Sequence, residues 1–227
     1  INVSSVDRIS VLKGSSGVRF GPEALGGAII VEPDPMKLNQ PYYFNTNFGY
    51  QTNGRGRNFS IDTGKGYKNL GFNVGLSHIK IGDRHAPSYS LTNSGKEEKG
   101  FNIGLHYHLS NFDIKFYYSY VDLNLALLRS SIFHSGNAIS RAISSEEPLF
   151  IRPFSFDINE PNQLVDHHLA KVNINWWYNE NDKLSFVFGR QLNKRKEFDV
   201  RRNAEKPIID LDLITNDLMI DLSLIHI

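Results

Sequence analysis

Between Phe44 and Tyr120 the chain alternates, residue by residue, between an apolar or aromatic side chain and a small or polar one. Phe44, Thr46, Phe48 and Tyr50 fall on one side of the alternation, and Asn45, Asn47, Gly49 and Gln51 on the other. Phe59, Ile61 and Thr63 oppose Asn58, Ser60, Asp62 and Gly64. Leu70, Phe72, Val74 and Leu76 oppose Gly71, Asn73, Gly75 and Ser77. Phe101, Ile103, Leu105, Tyr107 and Leu109 oppose Asn102, Gly104, His106 and His108, and Phe112, Ile114, Phe116, Tyr118 and Tyr120 continue the series. A repeat of two is the period of a β-strand, whose successive side chains point to opposite faces. Extended to the end of the chain, the pattern predicts strands near 43–52, 57–64, 69–81, 99–109, 112–122, 167–178, 183–199 and 211–222.

The connections between these strands sort by length. After the second, fourth and sixth strands they are short, near 65–68, 110–111 and 179–182. After the third and fifth they run to about 17 and about 44 residues, and after the seventh to about 11. The first turn, Asn53-Gly-Arg-Gly56, is the one short member of the long class. Short turns at one end and long loops at the other are the pattern of an outer-membrane β-barrel. An ordinary sandwich has no reason to sort its loops by side.

The polar side of the alternation consists mostly of Asn, Gly, Ser, His and Gln. A soluble sandwich carries Lys, Glu and Thr there. Small uncharged groups suit a crowded, wet interior, and apolar stripes of about 9–11 residues match a tilted strand crossing a bilayer. A mean hydropathy of −0.34 does not contradict this, because alternating lipid-facing and lumen-facing residues average out as polar. Ten Tyr and 15 Phe would serve an aromatic-girdled barrel, although an aromatic-rich soluble sandwich or jelly roll shares that count.

Composition closes several other routes. A formal net charge of +1 gives no nucleic-acid surface. The absence of cysteine excludes a Cys₄ zinc site, a thiol nucleophile and a disulfide framework. No apolar run reaches the ~18–20 residues of a spanning helix. The sequence opens at Ile1 without a targeting pattern of its own, and both ends read as internal to a longer protein, so the expectation is a fragment.

Ahead of the alternating region stands a glycine-rich stretch, Val6 to Val31, VDRISVLKGSSGVRFGPEALGGAIIV. It reads as a short strand (Ile9, Val11), a break at Lys13-Gly14, a turn-rich middle and a closing apolar strand, Ala28 to Val31, expected to be buried on both faces. Gly14, Gly21, Gly26 and Gly27 are expected to supply positive φ or close backbone approach. Gly14-Ser-Ser-Gly17 lacks the Gly-Lys-Ser/Thr ending of a phosphate loop. Read on these residues alone, the stretch could equally be a small α+β unit of a soluble enzyme. Glu32-Pro-Asp-Pro35 then forms a stiff connector, which places a domain boundary near 32–41.

This stretch resembles the C-terminal part of the plug domain of TonB-dependent outer-membrane receptors. The matching residues are Val6, Arg8, Ile9, Val11, Lys13, Gly14, Phe20, Gly21, Gly26, Gly27 and Ile29. Ser10 replaces the usual Glu of that pattern, and Ser15 the usual Pro. The resemblance covers Val6–Val31 closely, and the rest of the chain only as a compatible pattern. It implies a mainly all-β chain: a partial antiparallel transmembrane β-barrel preceded by the end of an α+β plug domain. Residues 1–35 would belong to the plug and 36–227 to the first eight or so of roughly 22 barrel strands. It further implies uptake of a scarce nutrient, such as a ferric siderophore, haem or cobalamin, across the outer membrane of a Gram-negative type of cell. The implied partners are TonB, through an N-terminal box that this sequence does not contain, outer-membrane lipid, and a small-molecule or metal-chelate ligand. Arg8, Gly14, Gly21, Gly26 and Gly27 would be structural plug residues. A passive porin and a soluble all-β ligand-binding module are the alternatives, and the porin has no use for the glycine-rich stretch.

Candidate ligand-facing residues come from two places. His106 and His108 are two apart on one strand face, where they could meet a metal, haem or chelate, or act as ordinary hydrogen-bonding groups. His167 and His168 begin a strand and face opposite sides, a poor arrangement for joint chelation. The long segment 123–166 holds Arg129, His134, Arg141 and Arg152 with Phe150, Phe154 and Phe156, stiffened by Pro148, Pro153 and Pro161. Loops of that length are functional or disordered. The haem-receptor signature of the family is absent, and Asn159-Glu-Pro-Asn162 only superficially resembles its second half. Trp176-Trp177-Tyr178, just before a short turn, fits an interfacial belt. The run 193–202 reads as a charged strand end in solvent. No catalytic motif, resident cofactor or metal site is expected.

Overall fold

The structure is a computed structural model, and it describes residues 6–33, 36–131, 136–180, 182–200 and 206–224. It is mainly β. β1 (Val6–Leu12) and β2 (Ala28–Pro33) form an antiparallel pair, joined by two 3-10 segments, Gly14–Phe20 and Pro22–Gly26. After them come β3 (Tyr43–Gln51), β4 (Gly56–Gly66), β5 (Leu70–Ile81), the short pair β6 (Arg84–His85) and β7 (Ser90–Leu91), β8 (Lys96–Leu109) and β9 (Phe112–Ala126). The long connection after β9 carries a 3-10 turn, Arg129–Ser131, and one helix, α1 (Gly136–Ser144). β10 (Asn162–Trp177), β11 (Asp182–Phe198) and β12 (Ile209–Leu224) complete the chain.

Eight strands form one antiparallel sheet in the order β12-β11-β10-β9-β8-β5-β4-β3. Each neighbour along the chain is also the neighbour in the sheet, so the sheet is a meander interrupted only by the small β6–β7 pair. Cross-strand register carries the sequence alternation across β3, β4, β5, β8 and β9. One row runs Phe44, Thr63, Val74, Ile103, Tyr118, and the next, on the other face, runs Asn45, Asp62, Gly75, Asn102, Ser119. A shift of one residue in any pair would exchange the two faces.

Several strands exceed their expected lengths where pairing with a neighbouring strand continues the ladder. β8 starts at Lys96, which pairs with Ile81, and Lys80 Nζ donates across the two strands to Glu97 Oε2 at 3.2 Å, a contact that hydrophobic periodicity does not register. β9 and β10 likewise extend to the pair Ala126–Asn162, shortening the long connection to 127–161. The short turns, 67–69, 110–111 and 178–181, lie at one end of the sheet, and 52–55, 82–95, 127–161 and 199–208 lie at the other.

The described residues contain little apolar core. Ala24, Ile81, Val121 and Ala126 are the buried hydrophobic side chains, whereas Phe48, Leu76, Leu105, Leu218 and Ile220 are exposed on one face. No second sheet of comparable size covers either face among the described residues. That aromatic face ends, at the short turns, in Phe112 stacked on Trp176 at 5.8 Å with Tyr178 tilted against the same indole. Toward the long loops it ends in Phe101, Tyr118, Tyr120 and His168, with Tyr118 Oη 2.8 Å from His168 Nδ1.

The glycine-rich stretch departs from expectation in two respects. Ala28–Val31 is not buried on both faces: Ile29 is 72% exposed, and Ile9 and Val11, on the same side of the β1–β2 pair, are exposed as well. A two-stranded hairpin has no third strand to cover that side. Gly26 has neither a positive φ nor any atom near the position of an added Cβ, so it is not one of the constrained glycines. Gly14 (φ 62°), Gly21 (φ 102°) and Gly27 (φ 126°) are in the region that favours glycine. A Cβ on Gly27 would also lie 2.5 Å from the Leu12 carbonyl oxygen, where β1 leaves the pair. Arg8 closes the hairpin by donating from Nε to Glu32 Oε2 at 2.6 Å, a hydrogen bond that holds the Glu32 carboxyl below its usual range.

Candidate functional site

The segment after the glycine-rich stretch reaches the sheet through residues 36–40, at the short-turn end. Asn39 N donates to Tyr67 O at 2.9 Å, and Gly66 N donates to Gln40 O at 2.9 Å. The polar face admits this backbone because it lacks side chains there. A Cβ on Gly66 would overlap the Lys37 carbonyl oxygen, and one on Gly104 would stand 2.5 Å from Met36 Sδ.

His106 completes the junction. Its Nδ1 is 2.8 Å from the Met36 carbonyl oxygen and its Nε2 is 2.6 Å from Asp113 Oδ2. Both ring nitrogens thus face an oxygen of this chain. His108 Nδ1 stands 3.5 Å from the same Asp113 oxygen, and Lys115 Nζ 3.5 Å from the other. His106 and His108 thus share a face, as the spacing requires. His106 has no ring nitrogen left for a ligand, and that part of the expectation is corrected: it fastens the connecting segment. His167 and His168 do point oppositely, His167 Nδ1 toward Asn193 Nδ2 and His168 toward Tyr118.

At the opposite end the two long connections, 82–95 and 127–161, are joined by buried polar side chains. Asp83 is 3% exposed; its Oδ1 accepts from Ser94 N at 3.1 Å and its Oδ2 from Ser155 N at 3.3 Å. Asn93, with φ 60°, donates from Nδ2 to the carbonyls of Leu127 and Pro161, both at 2.8 Å, and accepts from Asn159 N at 3.0 Å. Thr92 Oγ1 accepts from Arg152 N at 2.7 Å, and Thr92 O from Arg129 N at 3.1 Å. Buried backbone groups of a loop must find partners, and here a few short side chains supply them. Phe154 is a second anchor, in contact with the His85 ring (6.1 Å), the Phe156 ring (5.0 Å) and the Arg55 guanidinium (4.2 Å).

These contacts enclose a cavity of about 500 Å³ lined by Arg129, Phe150, Arg152, Asp157, Asn159 and Glu160 among others. Arg129 and Arg152, separated by 22 intervening residues, come together on one ring: their guanidinium carbons are 5.0 and 4.7 Å from the Phe150 centroid. A second hollow of about 430 Å³, lined by His85, Tyr89, Ile151 and Arg152, adjoins it through Arg152 and Pro153. The volumes are in the range that holds a small molecule.

Of the loop candidates, Arg129 and Arg152 therefore line one cavity. Arg141 is on α1, exposed and outside the cavity lining. His134 lies outside the described residues. Asp83, Thr92 and Asn93 were not singled out by sequence. The one local signal was Asn93-Ser-Gly95, a turn sequence that tolerates left-handed backbone.

No protein-family model matches the chain, and a search of curated proteins returns no match.

Proposed function

We propose that the chain is part of an energy-coupled outer-membrane receptor of the TonB-dependent class, which takes up a scarce nutrient such as a ferric siderophore, haem or cobalamin. One observation carries the reading: a sheet with an exposed aromatic and aliphatic face, a small polar face, and loops sorted by length, with the chain from a glycine-rich unit entering on the polar face at the short-turn end. An apolar surface of that extent is a liability in water and a fitted surface in lipid. From Phe112 to Tyr120 it runs roughly 26 Å along the strand, about 20 Å across a bilayer at the usual tilt, close to the apolar band of such barrels. Aromatic side chains end it on both sides, as interfacial belts do.

In this reading the polar face lines the lumen, the glycine-rich hairpin is the end of the plug, and residues 36–40 tether it at the periplasmic rim. The exposed edges of β3 and β12 are closed by further strands, since a bilayer tolerates no open edge. The long loops face the outside and carry the ligand cavity. TonB acts on the plug through a separate N-terminal box.

Fractionation of the intact protein in a Gram-negative host tests this. It should be recovered from the outer membrane, with an epitope inserted near Glu147 labelled on whole cells. Recovery as a monodisperse, cooperatively melting species in buffer without detergent would overturn it in favour of a soluble all-β binding module. Outer-membrane recovery with nutrient uptake unaffected by loss of TonB would favour a passive barrel.

A further inference from the structure

We infer that the long-loop cavity binds a hydroxylated acid: a ligand with a carboxylate or phosphate for Arg129 and Arg152, and hydroxyl groups for Asp157, Asn159 and Glu160. The inference rests on the receptor reading and names the ligand chemistry of its cavity.

Two guanidiniums bring ten N–H donors between them and no acceptor. Among the described residues neither makes a hydrogen bond or ion pair through its side chain; each is held only by the face of Phe150. Contact with a ring uses none of a guanidinium's N–H groups, which stay available to grip a carboxylate or phosphate through two parallel bonds. Arg8, by contrast, has its Nε–H bonded to Glu32.

The acidic residues of the cavity do not satisfy these donors. Asp83 is consumed by the backbone N–H groups of Ser94 and Ser155, and Asp157 Oδ2 accepts from Ser155 Oγ at 2.9 Å. Neither Asp157 nor Glu160 forms an ion pair with Arg129 or Arg152 among the described residues. The cavity therefore presents donors on one set of groups and acceptors on another that are not paired with each other among the described residues. A simple anion would fill the first and repel the second, and a neutral polyol would leave both arginines unmet. A molecule with an acid group and hydroxyls meets both.

Titration calorimetry on the intact protein in detergent, with gluconate, sorbitol and acetate as probes, decides the matter. Gluconate should bind at least about tenfold more tightly than either control. The double variant R129Q/R152Q should lower gluconate affinity by about tenfold or more, and R129K/R152K should recover only part of it, because lysine lacks the fork. D157N/E160Q should weaken gluconate and leave acetate no weaker, because it removes the repulsion of a simple anion. Protease sensitivity of 127–161 should match wild type in each variant, which separates loss of ligand groups from loss of the loop. Gluconate binding no better than sorbitol, or undiminished in R129Q/R152Q, overturns the site. If that happens in a protein found in the outer membrane, the site alone fails. Arginine-dependent gluconate binding by a chain that is stable without detergent would sink the receptor reading alone.

Discussion

The two ends of the sheet solve the same problem by opposite means. At the short-turn end a length of backbone, residues 36–40, is brought onto the polar face by removing side chains: Gly66, Gly71 and Gly104 leave the room. His106 and two backbone hydrogen bonds then hold it. At the long-loop end, backbone from two separate connections is held by adding side chains, Asp83, Thr92 and Asn93, whose polar atoms stand in for a ladder. The first device yields a close, rigid seam with no room for a guest. The second yields walls with a cavity between them.

The largest expected effect attacks the second device. Asn93→Ala removes three hydrogen bonds and places a Cβ-bearing residue without local compensation at φ 60°, which should cost the loop unit roughly 2–4 kcal/mol. Hydrogen exchange across 127–161 should accelerate while strand amides stay protected. Uniform loss across the sheet would show that the loops do not form a separate unit. Next comes the seam. Gly66→Val forces a side chain into the Lys37 carbonyl and should cost about 1–3 kcal/mol, read as faster exchange at Asn39 and Gly66. Gly189→Ala is the control, since nothing lies near its added Cβ. Equal effects of the two would break the contrast between the ends.

His106→Ala tests whether the seam needs its side-chain clasp as well as its glycines. Loss of a hydrogen bond to a charged group predicts about 1–3 kcal/mol. The loss should appear at residues 36–40 and not at the long loops. His106→Gln should recover part of it by keeping one contact.

How much of this was legible in advance follows from the same contrast. The strands were readable because alternation is local: Phe101 and Asn102 announce their faces without reference to any neighbour. The strand ends were less so, since the pairs Lys80–Glu97 and Ala126–Asn162 depend on which strand lies alongside. The glycines of the polar face were visible as small residues, but not as sites of close approach, because Lys37 and Met36 are remote in sequence from Gly66 and Gly104. Arg129 and Arg152 stood out as charged residues in a long loop. Their meeting on Phe150 depends on Thr92 and Asn93 in another loop, and a single sequence carries no signal for such a meeting. The buried hubs, Asp83 and Asn93, look like ordinary turn residues until both loops are in place.

The smallest effect concerns the hairpin ahead of the seam. The Arg8 hydrogen bond depresses the Glu32 carboxyl in the folded protein below the value it has in the unfolded chain. A carboxyl lowered in the folded state contributes stability above its unfolded value, and that contribution fades as pH falls through the folded one. Both groups are open to solvent, so the contribution is slight and salt should screen it. Arg8→Gln should therefore leave the short-turn seam and the long loops untouched. It should soften the acid limb of unfolding only in the carboxylate range, and only at low ionic strength. A change of the same size at neutral pH and high salt would mean that Arg8 holds the hairpin by packing and not by charge. The glycine-rich unit would then be fastened by contacts of the seam's kind, independent of protonation.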